Sequence, residues 1–277
     1  MSKLGSGISL LVPFRDDHTE GRLKNWLWLK AFWEHELPGA EMIIGIDTGS
    51  PFSKTCAMNN AFQHSHGDIL ILLDADCYIE PNVILQCADR IRKARDEQEP
   101  LWFVPYRHLF RLTLKATEKL VASNPKDALR FSIPPDPNDI GNAISSGNGH
   151  WFGALIQIMP REAYLKVGGM DPRFRGWGGE DITLVRVVDT LYGRHRTTND
   201  QVFTLMHHVN GNALLRMWEG QNKTGINNRL SVHYRETYGD KVRMCKVIQE
   251  WRSDIKYREH LIENDHEGIE SCLNLDF

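Results

Sequence analysis

The sequence lacks the features that mark several common classes of protein. Its five cysteines are scattered and none forms a C-x-x-C pair, which argues against a structural zinc motif and against a disulfide-rich scaffold. No stretch approaches the ~20 apolar residues of a membrane-spanning helix, and the N-terminal residues do not have the composition of a signal peptide. We therefore expect a soluble, cytoplasmic protein with reduced and mostly inert thiols.

The common nucleotide-binding loops are missing as well. The sequence contains no G-x-x-x-x-G-K-[ST] loop and no G-x-G-x-x-G after its first predicted strand, which argues against P-loop kinases and dinucleotide-dependent dehydrogenases. The formal net charge is only -3, so no overall basic field attracts nucleic acid or anionic lipid. A length of 277 residues with 41% hydrophobic residues fits one large α/β domain, or such a domain with a small appendage.

Strand and helix patterns alternate over the first hundred residues. The strand segments are almost free of polar residues, which indicates a parallel sheet covered by helices on both faces. Ligands bind such sheets beyond the carboxyl ends of the strands. The predicted strands are residues 8–14, 42–47, 69–74 and 101–106, and the predicted helices are residues 22–35, 53–64 and 81–97.

The second half of the chain has a less regular pattern. We predict a helix at residues 111–123, a long loop at 133–149, a strand at 151–159, a glycine-rich loop at 168–179, a helix at 180–191 and a strand at 202–208. From about residue 227 the pattern is helical, with interleaved basic and acidic residues. We expect a main domain over residues 1–210 and a helical C-terminal extension, residues 211–277, packed on it.

Two aspartates follow the apolar run ILILL at the end of the third predicted strand. Asp74 and Asp76 are two residues apart, and in an extended chain such side chains point the same way. Carboxylate oxygens suit Mg²⁺ or Mn²⁺, so this position favours a metal site. The alternative is a capping turn ahead of the helix that starts at Pro81.

A second group of acids follows a run of glycines. Gly178 and Gly179 permit positive φ, and Glu180 and Asp181 come next, at the start of a predicted helix. The acids are either ordinary helix-start residues or include a carboxylate base that accepts a proton from a hydroxyl group. The Trp177 ring is either a flat surface for a sugar or a core anchor.

Two histidines end the last predicted strand. One neutral imidazole from His207 or His208 is suited to complete the metal site. Alternation along the strand allows only one of them to point there, and the sequence leaves open which one.

Together these motifs resemble those of glycosyltransferases. Pro13-Phe14-Arg15 resembles the P-F-R-N motif of the β-1,4-galactosyltransferases, and Phe52-Ser53-Lys54 and Leu73-Asp74-Ala75-Asp76 resemble their F-N-R and D-V-D. Trp177-Gly178-Gly179-Glu180-Asp181 is similar to a motif that they share with polypeptide GalNAc-transferases and bacterial chondroitin-polymerase-type enzymes. Asp47-Thr48-Gly49-Ser50 is similar to the D-D-G-S of glycosyltransferase family 2.

The resemblance, which covers about residues 8–210, implies a GT-A fold: a Rossmann-like, mostly parallel central sheet flanked by helices. It implies a UDP-sugar donor, Mn²⁺ or Mg²⁺, and inversion at the anomeric carbon. Asp181 would be the base, and Asp74 and Asp76 with His207 or His208 would hold the metal. The nucleotide would contact Pro13, Phe14, Arg15, Asp47, Lys54 and Asp74, and the sugar or acceptor would contact Trp177, Gly178, Gly179 and Glu180.

The chain also departs from these families. Ile182 and Thr183 stand where the galactosyltransferases have further acids, which leaves the donor sugar open. The animal enzymes carry a membrane anchor and disulfides, so the lack of both favours the cytosol of a bacterium or of a virus-infected cell.

The acceptor is not specified by any motif. A saccharide hydroxyl is the default, and a hydroxylated base in phage DNA is an alternative that the basic C-terminal residues suggest but the net charge does not support. A nucleotidyltransferase would need a triphosphate-binding loop after the first strand. A non-catalytic nucleotide-sugar-binding module would not need the complete set of acids.

Overall fold

The computed structural model describes residues 3–16, 18, 20–127, 135–145, 155–176, 178–205 and 225–262. Its strands are β1 (Ile8–Pro13), β2 (Glu41–Gly45), β3 (Ile69–Leu73), β4 (Cys77–Ile79), β5 (Phe103–Val104), β6 (His108–Leu112), β7 (Ile140–Ser145), β8 (Ile156–Pro160), β9 (Arg196–Thr197) and β10 (Gln201–Thr204). Its α-helices are α1 (Glu20–Glu36), α2 (Lys54–Gln63), α3 (Pro81–Asp96), α4 (Leu114–Val121), α5 (Arg161–Lys166), α6 (Glu180–Leu191), α7 (Ile226–Glu236) and α8 (Lys241–Arg252).

A six-stranded sheet forms the centre of the molecule, in the order β2-β1-β3-β8-β5-β9. Strand β1 runs parallel to β2 and β3, and β5 runs parallel to β9, whereas β8 is antiparallel to both β3 and β5. The prediction of a mostly parallel sheet flanked by helices is confirmed. Because Ile156 pairs with Leu73, β8 begins at the edge of the sheet where β3 ends.

A second sheet, in the order β4-β10-β6-β7, corrects two of the sequence predictions. Residues 111 and 112 belong to β6 and not to a helix, and α4 begins only at Leu114. Residues 140–145 form β7 and not a loop. This strand is half-buried to exposed along its length and contains Gly141 and Asn142, so it has no apolar pattern that would reveal it.

The core is built from aliphatic strands and aromatic helix residues. All residues of β1 and β3 are buried, and so are Trp26, Phe32 and Trp33 of α1. Helix α2 packs closely against β1 and β2. Gly45 permits this close packing, since a Cβ atom at this position would overlap the Ala57 carbonyl. This packing brings the N-terminus of α2 to the carboxyl ends of these strands.

The helices predicted beyond residue 227 are present as α7 and α8, which pack against α6. The Asp240 side chain caps α8 by accepting a hydrogen bond from the Arg243 N–H at 3.0 Å, as expected of an N-terminal aspartate. Among the described helices, none combines the length and apolar character that a bilayer crossing requires. The four cysteines within the described residues are all buried, and none of these four forms a disulfide.

Candidate active site

Three parallel strands end at one edge of the central sheet. Pro13 of β1 lies opposite Gly45 of β2, and Leu11 lies opposite Leu72 of β3. The residues that follow these strands therefore share one edge, as expected for ligand sites in α/β sheets. Arg15, Asp47 and Asp74 are among them.

The D-A-D segment is a turn and not the extended chain that we predicted. The Cys77 N–H donates to the Asp74 carbonyl at 3.1 Å, and β4 begins at once with Cys77. The turn brings ligand atoms of Asp74, Asp76 and Cys77 within 4.8 Å of one another. The aspartates do not cap α3, since Glu80 occupies its N-cap position.

Lys54 joins the separate acids. Its Nζ contacts Asp74 Oδ1, lies 2.5 Å from Asp181 Oδ1 and lies 3.9 Å from Glu180 Oε1. Lys54 is the first residue of α2, whose N-cap is Ser53, with the Cys56 N–H donating to Ser53 Oγ at 3.1 Å. The ends of β3, α2 and α6 therefore meet at one point.

We call four carboxyl groups the acid cluster: those of Asp74, Glu180 and Asp181, which lie around Lys54, and that of Asp76, which lies within 4.8 Å of Asp74. One ammonium does not compensate four carboxylates. Burial raises the pKa of Asp74 well above its usual value, and the charges of Asp181 and Asp76 oppose the lowering effect of Lys54. Burial and the Asp181 charge raise the pKa of Glu180 to about 7. Burial opposes the charged form of Lys54, but the charges of Asp181, Asp74 and Glu180 raise its pKa well above the usual value.

The excess negative charge of the acid cluster suits a divalent cation. Carboxylate oxygens are the ligands that Mg²⁺ and Mn²⁺ prefer, and Asp74 and Asp76 offer them on one tight turn. The residues present therefore fit the predicted metal. Cys77 adds a buried thiol whose pKa is raised well above its usual value, first by burial and then by the charges of Asp76 and Asp74.

The glycines ahead of α6 have the conformation that the sequence indicated. Gly178 and Gly179 adopt φ of 108° and 89°, a region that strains any residue with a Cβ atom. The Gly178 N–H donates to Glu180 Oε2 at 3.0 Å, so Glu180 is both a buried member of the acid cluster and a helix-start residue. This turn directs the Asp181 carboxylate at Lys54.

The other residues predicted at the nucleotide lie where β1 and β2 end, at the same edge of the sheet as Asp74. Arg15 donates to the Gly49 carbonyl at 2.6 Å and its guanidinium lies 4.9 Å from the centre of the Phe52 ring. Phe14 stacks on Trp26 with ring centres 5.4 Å apart. The buried Asp47 carboxylate accepts from the Ser53 N–H at 2.8 Å, which orders the loop between β2 and α2.

Three of the predicted site residues, Trp177, His207 and His208, lie outside the described residues. Their described neighbours are close to the site. The Gly176 N–H donates to the Phe52 carbonyl at 2.8 Å, and the Leu205 N–H donates to the Asp76 carbonyl at 2.9 Å.

The structure adds residues that the motifs did not identify. Leu155 accepts from the Asp74 N–H at 3.0 Å and donates to Tyr106 Oη at 3.1 Å. Burial raises the Tyr106 pKa, and the charges of Cys77, Asp181 and Asp74 contribute. A narrow pocket at this point is lined by Lys54, Met58, Leu72, Asp74, Leu155, Gln157, Met170 and Asp181. Of Cys77, Tyr106 and Leu155, only Cys77 could have been found from the sequence, because it directly follows D-A-D.

Comparison with solved structures returned partial similarities. The catalytic domain of Drosophila β1,4-galactosyltransferase 7 in complex with xylobiose is 18% identical over 73% of this chain and 71% of that chain, with a TM-score of 0.38. The same values hold for a mutant of that enzyme in complex with manganese, UDP-Gal and xylobiose. The mannosyltransferase PcManGT from Pyrobaculum calidifontis, in complex with GDP-Man and Mn²⁺, is 11% identical over 96% of this chain and 78% of that chain, with a TM-score of 0.43.

Two family models match the chain, and both describe glycosyltransferases. No curated protein matches the sequence. Residues 41–106 match the model for glycosyl transferase family 2, and this stretch contains Asp47, Lys54, Asp74 and Asp76. Residues 144–208 match the model for the N-terminal domain of galactosyltransferase, and this stretch contains Glu180 and Asp181. The predicted resemblance to glycosyltransferases is thus confirmed, since two separate parts of the chain each match a domain of this class of enzyme.

Proposed function

We propose that the protein transfers a sugar from a nucleotide sugar, of the UDP type, to an acceptor hydroxyl group with inversion, and that Asp181 is the catalytic base. The observation that carries this proposal is the meeting of Asp74 and Asp181 at the Lys54 ammonium. A glycosyltransferase of this kind needs a metal-binding acid and a basic carboxylate around one cavity, and here they come from distant parts of the chain.

Asp74 and Asp76 are the residues that would hold Mn²⁺ or Mg²⁺, together with His207 or His208. The hydrogen bond between Leu205 and Asp76 supports the histidines, because His207 follows only two residues later in the chain. When bound, the metal would act as a Lewis acid toward the diphosphate of the donor. The four-to-one excess of carboxyl groups over ammonium in the acid cluster supports a cation at this position.

The chain's own residues supply the remaining chemistry. Asp181 accepts the proton of the acceptor hydroxyl while the acceptor oxygen forms its bond to the anomeric carbon and the bond to the diphosphate breaks. This single displacement inverts the anomeric centre. Lys54 holds the Asp181 carboxylate in place and, with Arg15, offers positive charge to the phosphates.

The remaining predicted contacts complete the binding site. Pro13, Phe14 and Asp47 surround the nucleotide, because they follow or end the strands at this edge. Trp177, Gly178, Gly179 and Glu180 contact the transferred sugar or the acceptor. The two positive-φ glycines support this role, since a backbone without Cβ atoms allows a ligand to approach closely.

A saccharide is the acceptor class that we propose. A hydroxylated base in phage DNA is tested separately by DNA binding, because phosphate contacts weaken steeply with salt. The net charge of -3 offers no general attraction to DNA. We expect no salt-sensitive binding to duplex DNA, and such binding would move the proposal to a nucleic acid acceptor.

The decisive experiment measures release of nucleoside diphosphate from UDP-Gal, UDP-Glc, UDP-GalNAc and GDP-Man, with Mn²⁺ and with EDTA. We expect Mn²⁺-dependent release from a UDP-sugar and a loss of at least ~100-fold in Asp181→Asn, the scale of a lost general base. Asp240→Asn is the matched control, because asparagine also caps a helix and Asp240 is an exposed residue whose side chain caps α8 at Arg243. Equal activity of the two variants would refute Asp181 as base, and the absence of release from every donor would refute the function.

A further inference from the structure

Arg175 lies in the glycine-rich loop that leads to the acids, and the first helix of the C-terminal segment holds its backbone. The Arg175 N–H donates to Asn227 Oδ1 at 3.2 Å, and Asn227 Nδ2 donates to the Arg175 carbonyl at 2.9 Å. Asn227 is the second residue of α7 and is 9% exposed. One side-chain amide therefore pairs with both polar groups of a single backbone residue, six positions before Asp181.

The Arg175 side chain extends from this fixed backbone to the loop between β2 and α2. Its Nη1 lies 3.5 Å from Asp47 Oδ1 and 3.4 Å from the Pro51 carbonyl. A Cβ atom at Gly49 would overlap the same guanidinium, so the absence of a side chain there creates the space for Arg175. Arg15 holds the Gly49 carbonyl at 2.6 Å. The 47–51 loop is thus held by two guanidinium groups.

Other contacts anchor the start of the glycine-rich loop. Asn59 of α2 pairs with both backbone groups of Met170, at 2.8 Å and 2.9 Å, and Tyr234 of α7 donates to Asp171 Oδ2 at 2.8 Å. Asn227 holds the Arg175 end of the loop. This end contacts the 47–51 loop through Arg175, whereas the contacts given for Met170 and Asp171 lead to α2 and α7. Asn59 therefore anchors the start of the glycine-rich loop, whereas Asn227 holds the end that contacts the 47–51 loop.

We propose that Asn227 and Arg175 form a strut through which the C-terminal helices position the 47–51 loop, and with it the nucleoside diphosphate of the donor, relative to Glu180 and Asp181. The inference rests on the proposed function, because it assigns this loop to the nucleotide. Arg175 and Asn227 are positioning residues. The C-terminal segment is then part of the donor site and not a separate appendage.

A double-mutant cycle tests the strut. The variants are Arg175→Met, Asn227→Ala and the double variant of the full chain, and the measurement is the Kd of UDP, and in parallel of GDP, with Mn²⁺ by calorimetry. We expect each single variant to raise the Kd by about 10-fold and the double variant to raise it by no more than about 10- to 20-fold. The reason is that substitutions within one connected unit do not have additive effects on free energy. Independent effects would instead multiply to about 100-fold.

Ser231→Ala is the matched control. Ser231 lies one turn along α7, and its hydroxyl accepts from Arg186 Nη1 at 3.3 Å instead of contacting Arg175. We expect this variant to lower thermal stability slightly and to leave the Kd unchanged. Asn227→Asp retains the acceptor for the Arg175 N–H and should bind with intermediate affinity, which keeps the test valid if Asn227→Ala folds poorly.

The outcomes separate the two proposals. Wild-type protein that binds neither nucleotide refutes the proposed function and the strut together. If the wild type binds nucleotide, two results would refute the strut alone. One is a double variant whose Kd rises by the product of the two single effects, and the other is an unchanged Kd in Asn227→Ala. A Kd loss in Ser231→Ala as large as that in Asn227→Ala would also refute it, because the effect would then reflect general loosening of α7.

Discussion

Lys54 Nζ lies 2.5 Å from Asp181 Oδ1, although 127 positions of sequence separate the two residues. The same ammonium contacts Asp74, so a single lysine connects the turn after β3 with the start of α6. Removal of one partner from such a group leaves uncompensated charge in a buried site, which costs more than the net stability of the pair itself. This relationship leads to the first two predictions.

Lys54→Met should destabilise the protein by about 3–5 kcal/mol at neutral pH, the typical effect of breaking a buried ion pair. The loss should be smaller at pH 5 than at pH 8, because the remaining carboxylates are protonated more easily at low pH. Urea unfolding at the two pH values measures this. Mn²⁺ should raise the Tm of the variant more than that of the wild type if the ion occupies the acid cluster. An equal shift in both would contradict that placement.

Glu180→Gln should change how stability depends on pH. Burial and the Asp181 charge raise the pKa of Glu180 from 4.5 to about 7, so the folded state holds this proton more tightly than the unfolded state. Its contribution to stability is therefore lost as pH rises from about 4.5 to about 7. In EDTA, the free energy of unfolding of the wild type should fall between pH 4.5 and 8 by up to about 3 kcal/mol more than that of Glu180→Gln. Urea unfolding across this pH range measures the difference. Parallel curves would show that Glu180 is ionised normally.

Glu41→Gln should destabilise the protein most at neutral pH and least in acid, so its pH dependence has the opposite sign to that of Glu180. Burial alone would raise the pKa of Glu41, but hydrogen bonds from Ser9 and from the backbone of His66 and Gly67 lower it to about 2. The stabilisation is complete above about pH 4.5 and is lost as pH falls toward 2. The variant should lose about 1 kcal/mol at pH 7, and the difference should shrink toward pH 2.

The exposed Glu97 supplies the control for that experiment. Glu97→Gln should leave the free energy of unfolding unchanged within ~0.5 kcal/mol at both pH values, as is usual for surface substitutions. An equal effect of the two substitutions would show that the hydrogen bonds to Glu41 contribute nothing specific.

Gly179→Ala should impair both stability and activity. Gly179 has φ of 89°, and an added Cβ atom would lie 3.1 Å from Ser231 Cβ. Gly239 has a similar φ of 84° with no atom within 4 Å of an added Cβ, so Gly239→Ala measures backbone strain alone. We expect a loss of about 1 kcal/mol for Gly239→Ala and about 2–4 kcal/mol for Gly179→Ala, which adds overpacking.

Activity provides the second comparison between the glycine variants. Only Gly179→Ala should lower kcat, since Gly179 directs Asp181 toward Lys54. Chemical denaturation and donor turnover measure the two effects. Equal losses of activity in both variants would contradict a specific role for the turn at Gly179.

Local pattern was sufficient for the elements that supply the site. The apolar run before Asp74, the Ser53 cap and the glycines before Glu180 each act within a few residues, because burial, capping and positive φ are local properties. The helix at 180–191 and the start of α2 were therefore predicted with their observed bounds or close to them. Even so, the extended conformation predicted for residues 74–76 was wrong, since the turn at residues 74–77 depends on a backbone hydrogen bond and not on side-chain alternation.

The sequence by itself determined which acids follow the strand and the glycine loop, and which residue types surround them. Only the tertiary structure decided that β8 runs antiparallel, that a second sheet includes β7, that Lys54 joins Asp74 to Asp181 and that Asn227 holds Arg175. These relationships form between segments far apart in the chain. Their formation depends on which strands pair and which helices pack together, and no local period or cap encodes that choice.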